Sequence, residues 1–310
     1  MQSRQYDLVH IQTPFVAHYL GVKLSKRMGV ACVETYHTFF EEYRYHYVPC
    51  VPRACLGSLA RAHGRDVDEL IVPWGAMRDR LLEYGVATPM SVLPTGIPEA
   101  DFSNADGPGF RRKYNIAPTR TMLLFVGRVA FEKNIDFLIR SLAVAVRSIA
   151  DLLLVIAGEG PALSRLRREV VRMNLEKNVV FIGYLDRSRE LPGCYAAADA
   201  FVFASRTETQ GLVLLEAMAL GVPVISLVVM GTCDIVNARR GALLPRDDEN
   251  EFASSIVKLA GDHELRNHLA RESKDYAREW QSGVIAGKHV NLYEPVLERR
   301  SSGHAGAGPA

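Results

Sequence analysis

SRTETQGLVLLEAMALGVPVI (205–225) decides the architecture. It continues AFVFA (200–204), an apolar run of the kind that forms a strand buried on both faces. Gly211 opens LVLLEAMAL, a helix by length, and Gly221 stops it before PVISL resumes extended chain. Strand, turn, helix and strand in succession make a βαβ unit, which requires a parallel sheet with helices on its faces. The same stretch carries two carboxylates. Glu208 falls in the turn and Glu216 on the helix. Eight helical steps between them span about 12 Å. Glycosidase carboxylate pairs stand roughly 5–9.5 Å apart, so this pair suits the two ends of one elongated ligand instead. The backbone N–H groups of Gly211, Leu212 and Val213 would face an anion at the helix N-terminus. The plain alternative is one exposed loop glutamate and one exposed helix glutamate.

Upstream, FVGRVAFEKNIDFLI (125–139) repeats the pattern. A strand ends at Gly127, and Arg128 and Lys133 follow across a tight turn into a helix. Two cations at the carboxyl end of a parallel strand face the crevice where open α/β sheets take ligands. They would pair with a diphosphate; otherwise they are solvated surface charges. LLLVIAGEG, VVFIGYL, AFVFAS, PVISL and GALLP complete about six strands after Thr121, with helices between them. Residues 249–278 read as helical.

Before this series a shorter one reads the same way. YDLVHI (6–11), GVACVETYH, VDELIVP (67–73) and MSVLPTG (90–96) are strands. Between them lie a helix with Val16, Leu20 and Leu24 on one apolar face, a helix near 50–63 and one at 75–84. PEADFSNADGPGF breaks the rhythm and marks a domain crossing. The expected division is an N-terminal domain over 1–115 and a second domain over 116–280. A C-terminal segment over 281–298 would cross back to the first, and 299–310 would be a disordered tail.

Composition narrows the classes. A net charge of +2 over 310 residues disfavours a nucleic-acid binder driven by phosphate contacts. No run of 18 apolar residues could span a bilayer, and MQSRQYDLVH shows no secretory h-region. Cys32, Cys50, Cys55, Cys194 and Cys233 are odd in number and form no CxxC pair, which points to a reducing cytoplasm and away from disulfides or zinc. No cluster of His or Asp at ligand spacing suggests a metal. GEGPAL follows a strand but lacks the third glycine of a dinucleotide fingerprint, which argues against a nicotinamide dehydrogenase.

Taken together, FVGR…EKN, GEGP (158–161), FIGYL (181–185), YAAADAFVFASRTETQGLVLLEAMALGVPVI and GALLPRDDE (241–249) resemble glycosyltransferase family 4. These are retaining, nucleotide-sugar-dependent transferases of the GT-B fold, with two Rossmann-like domains facing a cleft. VHIQTPF (9–15), VPWGAMRDRLLEYGV (72–86) and VLPTGI (92–97) extend the resemblance upstream. ETYHTFFEEYRYHY (34–47) is similar to the branch that glucosylates diacylglycerol.

The resemblance implies roles. Arg128 and Lys133 would neutralise the donor diphosphate. Glu208 would bind hydroxyls of the donor sugar, helped by backbone at Thr209, Gln210 and Gly211, with Leu212 at the same helix start. Glu216 would hold the ribose hydroxyls. Gly127, Gly158 and Tyr184 would lie around the nucleotide, UDP in the case of a UDP-glucose donor. His37 and Thr38 would face sugar and acceptor, with Glu42, Tyr43 and His46 on the acceptor side. No cofactor or metal is implied, since protein cations take the metal's place. Relatives open with a strand, a glycine loop and a helix before VHIQ, so the N-terminal domain is expected to be incomplete. A truncated, inactive nucleotide-sugar-binding remnant and a transferase to a soluble sugar acceptor are the alternative functions. Gln12 stands where the family often has His, and Trp74 where it has Ser. Tyr43 to Arg61, with CVPRACLGSLARA at its centre, would rest peripherally on a membrane, line an acceptor groove or pack as an ordinary helix. Arg165, Arg167, Arg168 and Arg172 read as the solvated face of a helix.

Overall fold

The structure is a computed structural model. It describes residues 5–13, 15–37, 53–98, 105–208, 210–236 and 240–305. The chain forms two compact units, one of residues 1–96 with 283–310 and one of 97–282.

In the first unit, β1 (Leu8–Ile11), β2 (Ala31–Thr35), β3 (Glu69–Val72) and β4 (Met90–Val92) form a parallel sheet in chain order. Side chains alternate across a strand, and the alternation sorts the core. Ala31, Val33 and Ile71 pack with Ile285 and Val296 of the C-terminal helix, whereas Cys32, Leu70 and Val72 pack with Val22, Met77 and Leu81 on the opposite face. Helix α1 (Val16–Met28) differs from its apolar periodicity. It buries His18, Val22 and Ser25, and leaves Val16, Leu20 and Leu24 exposed. Helix α2 (Arg53–Arg65) tucks Leu56 and Ala60 inward, and Arg61 Nη1 donates to Tyr84 O at 2.6 Å. Leu56 and Ala60 therefore serve packing, while Leu59 is half-buried; residues 43–52 lie outside the described residues.

The second unit is a six-stranded parallel sheet in the order β10-β9-β8-β5-β6-β7. The strands are β5 (Met122–Val126), β6 (Leu153–Ala157), β7 (Val179–Gly183), β8 (Ala200–Phe203), β9 (Val224–Ser226) and β10 (Ala242–Leu243). This is the doubly wound order, with its switch point between β5 and β8. Phe125, Phe201 and Phe203 are fully buried and stack across that point.

Three boundaries depart from expectation. Residues 97–115 lie with the second unit. Arg111 explains this, because its guanidinium bonds Ala197 O, Arg120 O and the Asp199 carboxylate at 2.8–2.9 Å. The helical stretch 249–278 is two helices, Glu249–Gly261 and His263–Arg278. Asp262 breaks it by accepting from Leu265 N at 2.9 Å as the second helix's N-cap. The last helix runs Ser282–Ala305, past the expected end at 298, and Arg299 and Arg300 pair with Glu69 and Asp68 of the first unit.

Candidate functional site

The carboxyl ends of β5 and β8 diverge at the switch point of the second sheet, the place where a doubly wound fold leaves a crevice. After β5 the chain turns at Gly127, passes Arg128, and makes a short 3-10 turn, Phe131–Lys133, before Asn134 enters the helix Ile135–Ala145 in the left-handed conformation. Asn134 Nδ2 donates to Ala204 O at 3.2 Å, tying this turn to the end of β8. After β8 the chain carries Glu208 and reaches Gly211, the N-cap of the helix Leu212–Ala219, at φ 60°. Among the described residues, no side chain caps that helix start.

Two separate turns thus bring Lys133 and Glu208 together. Lys133 Nζ donates to Glu208 Oε2 at 2.7 Å, with the two side chains only 19% and 16% exposed. Glu208 Oε1 accepts from Gly211 N at 3.3 Å. Arg128 lies on the same turn, paired with Glu132. The plain reading of a solvated surface charge does not describe Lys133, whereas the Arg128 side chain is 51% exposed.

Glu216 is 2% exposed, deeper than an ordinary helix-surface glutamate. Tyr195 Oη donates to its Oε2 at 2.8 Å and Arg187 Nη2 to its Oε1 at 2.6 Å. Burial first, and then the Glu216 charge, push the Tyr195 hydroxyl well above its ordinary pKa, so it stays a donor. A carboxylate has about four acceptor positions. These two bonds leave it able to accept further hydroxyls.

Beside this, a cavity of about 350 Å³ opens at the ends of β5, β6 and β7. Gly127, Arg128, Gly158, Glu159, Tyr184 and Leu185 line it, and its size lies in the range of small-ligand pockets. Gly158 is the fulcrum. Its φ is 141°, its N–H donates to Gly183 O at 2.7 Å, and a Cβ there would fall 1.9 Å from Gly127 O. The strand ends approach closely enough to leave the cavity only because this residue has no side chain.

In the first unit, His37 Nε2 stands 3.3 Å from Gln12 Oε1. His10 lies behind, between Thr35 Oγ1 and Tyr293 Oη at 2.6 Å each. Burial, then the nearby His289, hold the pKa of His37 below its ordinary value. Burial, then His289 and His37, bring His10 down to about 4. The sign follows: the unfolded chain protonates His10 near 6.5, before the folded chain does. His10 therefore adds stability above that pH, and the contribution is lost as pH falls toward 4. Thermal melts from pH 7.5 to 4.5 are expected to fall more steeply for the parent than for His10→Gln; parallel curves would contradict this.

Gln210 and Leu212 are half-buried at the helix start. Thr38, Glu42, Tyr43, His46 and Thr209 lie outside the described residues. Sequence reasoning missed Arg187 and Tyr195, because no local spacing relates either to Glu216. It also missed a cluster elsewhere, His18, Glu34 and His63, buried together in the first unit.

The family profile described as "Glycosyl transferases group 1" matches residues 108–276, and that described as "Glycosyltransferase Family 4" matches residues 1–101. The chain belongs to the group 1 glycosyltransferases. Among relatives of this group 1 chain, the alpha-monoglucosyldiacylglycerol synthase of Streptococcus pneumoniae is 32% identical over 81% of the chain. The sulfoquinovosyl transferase of Arabidopsis thaliana is 27% identical over 88%. The chain spans 62% and 54% of the lengths of these two relatives. Among solved structures, sucrose-phosphate synthase of Thermosynechococcus elongatus superposes with a TM-score of 0.77 at 24% identity, covering 95% of this chain and 74% of that one. Anabaena HepE in complex with UDP gives 0.80 at 18% identity, covering 94% and 79%. The fold is that of GT-B glycosyltransferases, with parallel α/β sheets in both units.

Proposed function

We propose that this group 1 glycosyltransferase moves glucose, with retention, from UDP-glucose to a diacylglycerol-like lipid. The observation that carries the reading is the meeting of Lys133, Glu208 and the Gly211 helix start at the switch point, next to the Gly158 cavity and the buried Glu216. The cavity takes the base, Glu216 the ribose hydroxyls, Lys133 and Arg128 the diphosphate, and Glu208 the sugar. As the glycosidic bond breaks, negative charge grows on the diphosphate and positive charge on the anomeric carbon. Lys133, Arg128 and the amides at the helix start oppose the first, and Glu208 faces the second. The departing phosphate accepts the proton of the acceptor hydroxyl, so the step needs no separate protein base. His37, kept neutral by its surroundings, is assigned to the acceptor side.

The lipid acceptor is supported by the names of relatives, since the synthases of Streptococcus pneumoniae and Acholeplasma laidlawii both carry alpha-monoglucosyldiacylglycerol in theirs. A surface feature supports it too. Helix α1 exposes Val16, Tyr19, Leu20 and Leu24 beside Lys23, Lys26 and Arg27, a pairing suited to anionic bilayers. No helix among the described residues is long and apolar enough to cross a membrane, so this contact would be peripheral.

Co-sedimentation with anionic liposomes at low salt is expected, with release as salt rises and loss in a Leu20→Ser, Leu24→Ser double variant. Liposomes holding diacylglycerol and UDP-glucose are expected to yield an α-glucosyl lipid by proton NMR. Full activity on a soluble acceptor, without liposome binding, would remove the lipid reading and keep the transferase. A relative 29% identical is named a GDP-mannose-dependent mannosyltransferase. UDP and GDP competition therefore belongs in the same assay.

A further inference from the structure

In the first unit, α1, β2 and α2 carry His18, Glu34 and His63 to one point. Their exposures are 0%, 1% and 1%. One donor atom from each, two imidazole nitrogens and a carboxylate oxygen, lie within 4.8 Å of one another. His18 Nδ1 is 2.9 Å from Glu34 Oε2, and His63 Nδ1 is 3.6 Å from Glu34 Oε1. The two rings stack with centroids 3.9 Å apart.

Packing alone does not account for this arrangement. Among the described residues, both ring nitrogens of His63 are buried without a hydrogen-bond partner, which buried polar atoms rarely are. Among the described residues, the ion-pair partners of Glu34 are these two imidazoles. His18 Nε2 points toward Asp66 Oδ2 at 3.5 Å, the outer carboxylate position that orients metal-bound histidines. With its proton on Nε2, His18 turns the Nδ1 lone pair toward a carboxylate oxygen. Two lone pairs then face each other unless a proton or a cation lies between them. A proton there serves His18 and Glu34 only and leaves His63 unsatisfied. A cation serves all three.

We propose that His18, Glu34 and His63 bind one borderline divalent cation of the zinc type. The donor set decides the class. Two imidazoles and one carboxylate suit Zn²⁺ and its first-row neighbours, whereas Ca²⁺ and Mg²⁺ call for shells of oxygen. Water would complete the coordination, with Asp66 in the outer position against His18 Nε2. Binding rotates the stacked rings so that their lone pairs converge, and it clamps α1 and α2 onto β2. The site lies in a different unit from the nucleotide-sugar residues, so the proposal stands apart from the transferase reading.

The test uses the full chain, stripped of metal with a chelator, dialysed and titrated with zinc chloride. The expected result is one zinc per chain and a higher unfolding midpoint, since a ligand that binds only the folded state stabilises it. Affinity is expected to fall roughly tenfold or more in His63→Gln and Glu34→Gln, and to persist in His268→Gln, which alters an exposed histidine. His63 forms no side-chain hydrogen bond among the described residues, so its variant is expected to fold, and circular dichroism checks this. If Glu34→Gln fails to fold, zinc K-edge absorption of the loaded parent reads the shell directly. Two imidazoles with oxygen support the site. Failure to bind zinc, binding unchanged in His63→Gln, or a shell without imidazole would overturn it.

Discussion

Lys133→Ala is expected to lower turnover by about 10²–10³ while the unfolding midpoint stays close to that of the parent. The magnitude follows from removing one preorganised donor aimed at charge that develops in the transition state. The location follows from the switch point, where Lys133 is held 2.7 Å from Glu208 and both are largely shielded from solvent. Stability should suffer little, because Glu208 keeps its bond from Gly211 N and both groups retain some contact with water. Arg128→Ala is expected to act in the same direction. Steady-state kinetics with saturating donor, set beside melting curves, separate the two effects. Turnover close to the parent's in Lys133→Ala would remove this residue from the diphosphate site.

Gly158→Ala is expected to be the most damaging small substitution in the second unit. The added methyl would meet the Gly127 carbonyl at 1.9 Å, and the backbone there, at φ 141°, is one that L side chains rarely adopt. The obstacle is backbone and not a flexible side-chain end, so relief requires β5 and β6 to part where Gly127 N donates to Ala157 O at 3.0 Å. Backbone strain and overpacking together cost roughly 2–5 kcal/mol. For a unit of this size that lowers the melting midpoint on the order of 10 °C. Gly261→Ala is the control. That glycine has open space around it and ordinary φ, so its replacement should be near neutral. Equal midpoints for Gly158→Ala and the parent would contradict the close approach that shapes the cavity.

Much of the fold was legible because its strands are unbroken apolar runs. MLLFV, LLVIA and AFVF are buried along their whole length, as parallel strands between two helical layers must be. Elements whose placement depends on distant partners were not. Arg111 draws residues 97–115 to the second unit through bonds to Ala197 and Asp199, more than eighty positions away. Helix α1 misled by its periodicity, since the spacing of Val16, Leu20 and Leu24 describes an exposed stripe while Gly21 lets the other side close on Ile11. In the candidate site, Glu208 and Glu216 stood out by their turn and helix positions. Their burial and their partners Lys133, Tyr195 and Arg187 required the sheet order. His18, Glu34 and His63 carried no signal, since they come together only when two helices and a strand pack.

The central claim is that a nucleotide sugar binds in the second unit with its ribose at Glu216 and its sugar at Glu208. Calorimetric titration of UDP into the parent chain, Glu216→Gln and Glu208→Gln tests it most directly. The account predicts saturable binding to the parent and a loss of roughly 1–3 kcal/mol in Glu216→Gln, the scale of a hydrogen bond to a charged group. Glu208→Gln should bind UDP nearly as the parent does. No UDP binding by the parent, equal weakening in both variants, or weakening in Glu208→Gln alone would contradict it.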